Sequence, residues 1–153
     1  MNRLELKLPP PAIALLIALA MAALARVTPT LNELGPIRSW LATGLLVTGL
    51  LIAIWAVWSF HRAKTTVHPL APEKSSALVE TGVFRFSRNP MYLGMTLILM
   101  AWAVWLTAPA TLLGPILFVV LITRLQIKPE ERILHQLFGE AYASYCRRTR
   151  RWL

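Results

Sequence analysis

Arg85, Arg88 and Asn89 stand just ahead of Pro90 and Tyr92, at the point where a polar segment gives way to an apolar run beginning at Met91. A second polar group, Glu130 and Glu131, follows the next apolar stretch directly behind Lys128 and Pro129. Guanidinium and amide donors at one water–lipid boundary and carboxylates at another could together grip a small polar ligand while facing lipid. Gly82 permits a backbone path closed to other residues, and Pro90 and Pro129 each suit a first helical turn. Every one of these residues also has a plain structural use. Carboxylates are favoured in a first turn by the helix dipole, Arg88 could anchor on headgroups, Tyr92 could sit in an aromatic belt, and His68, followed by Pro69, could be an ordinary loop histidine.

The rest of the chain has to place these two groups side by side. Of 153 residues, 56% are hydrophobic and 15% charged, and mean hydropathy is +0.56, which puts the chain in a bilayer as one domain. Apolar runs cover about 11–25, 40–60, 91–107 and 111–127, against the roughly 20 residues a perpendicular helix needs. The fold expected is therefore an all-α integral membrane protein of about four transmembrane helices. The uncharged link 108–110 makes the last two a helical hairpin, which need not cross fully.

Lys and Arg number two before the first run, two between the first and second, five between the second and third, and seven from Arg124 onward. The positive-inside rule then places both termini, the 61–90 loop and the site in the cytoplasm, at what would be a bacterial inner membrane. The net charge of +9 flanks apolar runs and forms no stripe on a soluble helix, so no nucleic-acid partner is expected. Trp40, Trp55, Trp58, Trp102 and Trp105 fall near run ends or in their outer turns and read as interface anchors.

Beyond the fourth run, cytoplasmic helices are expected over 129–146. Ile133, Leu134, Leu137 and Phe138 share one face, Gly139 is a stop, and Tyr142 and Tyr145 lie on a further turn. Arg147, Arg148, Arg150 and Arg151 would meet anionic headgroups near Trp152. Cys146 cannot form an internal disulfide, and the absence of CxxC or HExxH spacing speaks against a metal site.

LVETGVFRFSRNPMYLG, residues 78–94, followed across the hairpin by PEERILHQLFGEAYASY, residues 129–145, resembles the isoprenylcysteine carboxyl methyltransferase family and its bacterial relatives, which are close to phospholipid methyltransferases. The resemblance covers the chain from Thr65 onward. It implies an integral-membrane enzyme that uses S-adenosylmethionine in a cytoplasmic pocket closed by the C-terminal helices, with a lateral opening for a lipophilic or lipidated acceptor. Carried over by position, His68, Val79, Gly82, Asn89, Pro90, Tyr92 and Glu130 would hold the cofactor, and Arg88 and Glu131 would be the catalytic pair. Either glutamate could meet the cofactor's ammonium group. Eukaryotic members carry His at the position of Asn89, so a proton-transfer role is not expected there.

The seven glycines nowhere form GxGxxG, which excludes the usual soluble nucleotide-binding fingerprint. Transfer to a carboxylate would need no general base, whereas transfer to a phospholipid amine would need one among Glu130, Glu131 and His68. Two other readings compete. One is a membrane reductase of the sterol-reductase kind using NADPH, and the other a non-catalytic scaffold whose basic tail binds anionic lipid.

Overall fold

A computed structural model describes residues 6–31, 35–63 and 77–153, and among these every regular element is helical. α1 (Pro10–Ala25), α2 (Ile37–Arg62) and α3 (Pro90–Leu106) are followed by α4 (Leu113–Ile122) and α5 (Lys128–Arg148). Short 3₁₀ turns at Gly82–Arg85 and Pro109–Leu112 lead into α3 and α4.

The expected hairpin is present. Thr107 closes α3 in the left-handed conformation (φ 57°), and the buried Thr111 hydroxyl donates to the Ala108 carbonyl at 2.6 Å, so polar groups at this apolar turn are satisfied locally. At the same end the Leu31 N–H donates to the Thr107 carbonyl at 2.8 Å. At the other end the Leu6 N–H reaches the Leu125 carbonyl at 3.1 Å. The four helices α1 to α4 therefore alternate in direction, and Pro10, Arg62, Pro90 and Ile127 all come to the end that carries the polar residues.

Where α2 and α3 cross, Gly49 and Gly94 face each other. A Cβ on Gly49 would stand 2.7 Å from the Gly94 carbonyl oxygen, and one on Gly94 2.6 Å from that of Gly49, so only glycine allows this approach. A core of Ile13, Ile17, Met21, Leu99, Phe118 and Ile122 joins α1, α3 and α4. Meanwhile Leu15, Leu16, Leu51, Ile54, Ile116 and Leu117 point outward and are exposed. A water-soluble protein rarely carries so wide an apolar exterior, whereas lipid covers one without cost. Among the described residues, Ile37–Arg62 and the continuous Pro109–Arg148 unit are long and apolar enough to cross a membrane, and α1 and α3 are shorter apolar helices.

α2 contains the second run and continues past it on both sides, to Ile37 and Arg62. Two expectations are corrected. Lys128 and Pro129 do not open a separate helix, because α4 passes through a π-helical turn, Thr123–Ile127, straight into α5. Pro129 has no N–H to return to the preceding turn; the Leu125 carbonyl it would reach in α-helical register accepts from Leu6 instead. Gly139 ends the first helical stretch of α5 as expected: its φ of 50° and ψ of −123° are non-helical and redirect the chain, and a second helical stretch follows. Trp102 also differs from the anchor reading: its indole N–H donates to the Ala18 carbonyl at 3.1 Å, tying α3 to α1.

Candidate functional site

Three stretches build the polar end: the segment 77–89, the first turn of α3, and α5 with the tail behind it. Val79, Val83 and Phe84 bury against Ala56 of α2, and the Phe84 ring meets Phe60 edge-on at 5.0 Å. That apolar patch fixes the turn from which Ser87, Arg88 and Asn89 emerge. Asn89 has non-helical backbone angles (φ −130°, ψ 53°), Pro90 takes the first helical position, and the Asn89 carbonyl accepts the Leu93 N–H at 3.0 Å.

The tail folds back along this segment because Gly139 reverses the direction of α5. The buried Tyr145 hydroxyl donates to the Phe84 carbonyl at 2.7 Å, and the Arg88 N–H donates to the Arg150 carbonyl at 3.0 Å. The Asn89 side-chain amide donates to the Arg151 carbonyl at 2.9 Å. On the surface, Arg148 pairs with Glu80 at 2.7 Å.

Between these elements lies a cavity of about 330 Å³. Pro10, Phe60, Met91, Met95, Ile127 and Leu134 give it apolar walls, and its polar groups are Arg88, Asn89, Tyr92, Glu130, Glu131, Tyr142 and Tyr145. A mostly apolar cavity with a few convergent polar groups is the usual form of a small-molecule site.

The two adjacent glutamates have different surroundings. Glu130 accepts the Tyr92 hydroxyl at 2.7 Å. Burial raises its carboxyl from the ordinary 4.5 to about 8, with the Tyr92 hydrogen bond pulling downward and the charge of Glu131 pushing upward. Glu131 accepts Arg88 Nη2 at 2.9 Å on Oε1 and is forked by Arg151, with Nε on Oε1 at 2.9 Å and Nη2 on Oε2 at 2.7 Å. Burial also holds the phenols of Tyr142 and Tyr145 above their ordinary value, so both remain neutral donors.

Of the residues singled out in the sequence, Arg88, Asn89, Pro90, Tyr92, Glu130, Glu131 and Val79 line this one cavity. Gly82 does not. Its φ of +63° turns the chain, and a Cβ there would stand 3.1 Å from Ser59 Oγ and 3.2 Å from Trp55 Nε1, so its place is the contact with α2. His68 lies outside the described residues. Asn89 spends its amide on the Arg151 carbonyl and so latches the tail. Sequence reasoning missed Arg151, which it read as a headgroup contact. The available signal was Gly139, a residue free to reverse the chain and bring the basic tail back to Glu131.

The family described as phospholipid methyltransferase matches residues 37–141 of this chain. That stretch contains Arg88, Tyr92, Glu130 and Glu131, while Arg151 lies beyond it. A protein of Haemophilus influenzae described as uncharacterized is 44% identical to this chain over 63 residues, which is 41% of this chain and 100% of that protein.

Proposed function

The chain belongs to the phospholipid methyltransferase family, and on that footing we propose that it uses S-adenosylmethionine to methylate a lipophilic acceptor at the membrane surface. The observation that carries this reading is that a carboxyl, Glu130, and a guanidinium, Arg88, line the same mostly apolar cavity. A methyl donor with a zwitterionic amino-acid end needs those two groups.

The chain's residues fit that ligand on their own chemistry. Arg88 lines the cavity, where a guanidinium suits a carboxylate, and its buried Nε finds no partner among the described residues. Glu130, neutral below about pH 8 without a cation nearby, ionises when an ammonium group arrives beside it. The Tyr92 hydroxyl then stabilises the carboxylate it already touches. When bound, S-adenosylmethionine supplies an electrophilic methyl group on a sulfonium, a good leaving group.

Positioning and water exclusion are what remain for the protein, and proximity alone is worth several kcal/mol. Phe60, Met91, Met95 and Leu134 keep water from the reacting atoms. A carboxylate acceptor of the prenylcysteine type is our first reading, since it needs no proton acceptor. Phospholipid N-methylation is the second. It is favoured by the description of the matching family. The basic residues clustered at the cavity end would hold that end in the cytoplasm, at a bacterial inner membrane.

Thermal unfolding in detergent with S-adenosylhomocysteine or NADPH tests this. Stabilisation by the former alone supports methyl transfer. Stabilisation by NADPH alone supports a reductase, and no response to either would leave a lipid-binding scaffold.

A further inference from the structure

Two guanidiniums share one carboxylate at this site. Arg151 forks Glu131 through both oxygens, and Arg88 gives that carboxylate a single bond, from Nη2 to Oε1. The Arg88 side chain is 12% exposed, that of Glu131 18%, and that of Arg151 37%, so Arg88 lies deepest and Arg151 closes the group from the solvent side. Arg151 is not among the residues lining the cavity.

We infer that Arg151 is a positioning residue that occupies Glu131 and so keeps Arg88 available to the carboxylate of a ligand. The inference rests on the cavity being the methyl-donor site. A guanidinium and a carboxylate alone in a buried place pair through both forks and cancel each other's charge. Were Arg151 absent, Glu131 would be free to take Arg88 in that way, and the anion-holding end would become neutral and internally satisfied. With Arg151 present the three groups carry one net positive charge, and Arg88 Nε remains buried with no partner among the described residues.

The backbone holds the arrangement in place. The Arg151 carbonyl accepts from the Asn89 amide at 2.9 Å, and the Arg150 carbonyl accepts from the Arg88 N–H at 3.0 Å. Trp152 packs against the core of α1, α3 and α4. The stretch of chain that carries Arg151 is thus fastened by the backbone of Arg88 itself and by the side chain of the residue after it.

The test is calorimetric titration in detergent of the wild type, Arg151→Ala and Arg151→Lys with S-adenosylhomocysteine and with 5′-methylthioadenosine, which lacks the amino-acid end. Arg151→Ala is expected to weaken S-adenosylhomocysteine by about tenfold to a hundredfold while methylthioadenosine changes by less than about twofold. Arg151→Lys keeps the charge but not the fork and should fall between the wild type and Arg151→Ala. Parallel loss for both ligands, or no loss for either, overturns the inference. Should Arg151→Ala not fold, the same ratio measured for Arg151→Lys decides. A wild type that binds neither ligand overturns the methyl-donor reading itself, and this inference with it.

Discussion

The Tyr92 hydroxyl donates to Glu130 at 2.7 Å, joining the first turn of α3 to the first turn of α5 across the lining of the cavity. Each side chain lies one or two residues past a proline, Tyr92 where α3 begins after an irregular segment and Glu130 just past the π-helical turn that leads into α5. Tyr92→Phe removes the contact that holds Glu130 down, so the Glu130 midpoint should rise above 8. Affinity for S-adenosylhomocysteine at neutral pH should fall by about 1–2 kcal/mol. Titration of the two proteins across pH checks both effects, and an unchanged midpoint would separate Tyr92 from Glu130.

Cofactor binding should depend on pH with a definite sign. An ammonium group needs the ionised form of Glu130, which is neutral below about pH 8, so affinity should improve as pH rises toward 8 and level off above it. The limiting slope is about tenfold per pH unit. Glu130→Gln should bind weakly and with little slope, as calorimetry at several pH values would record.

The ligand-free protein should show the opposite trend in stability. Between pH 4.5 and about 8 the folded chain retains a proton on Glu130 that the unfolded chain has released, so stability falls as pH rises through that window. The contribution is at most about 1.4 kcal/mol per pH unit. Thermal unfolding of the wild type against Glu130→Gln isolates it, because the variant should have the flatter profile.

The helix crossing makes a separate prediction. Gly94→Val places a branched side chain where a Cβ already meets the Gly49 carbonyl at 2.6 Å, with backbone on both sides unable to yield. A loss of about 1–3 kcal/mol or more is expected. Gly44→Ala, with nothing within 4 Å of an added Cβ, is the matching control and should unfold like the wild type in detergent.

At the tail, Tyr145→Phe leaves the Phe84 carbonyl without its buried donor and should cost about 1–3 kcal/mol. Arg148→Ala removes exposed contacts to Glu80 and to the Ser144 carbonyl, and its unfolding should shift little.

Much of this was legible in the sequence because periodicity and composition report burial directly. The four apolar runs, the hairpin at 108–110 and the convergence of Arg88, Tyr92, Glu130 and Glu131 follow from runs, turn residues and two motifs. What escaped depends on contacts between distant residues. Gly82 looked like a ligand-approach glycine, yet its missing side chain makes room for Ser59 and Trp55. The continuation of α4 into α5 depends on the Leu125 carbonyl finding Leu6, a partner at the far end of the chain. The division of labour between Glu130 and Glu131 depends on Arg151, which reaches Glu131 only after the reversal at Gly139.

The most direct measurement is transfer of radiolabelled methyl from S-adenosylmethionine by the purified protein in lipid, offered total membrane lipid and a prenylcysteine analogue. Label should enter an organic-soluble product with the wild type, and Arg88→Ala and Glu130→Ala should lose most of it while remaining folded. A folded wild type that labels neither acceptor, or folded variants that label as well as it does, would contradict the assignment of this cavity to methyl transfer.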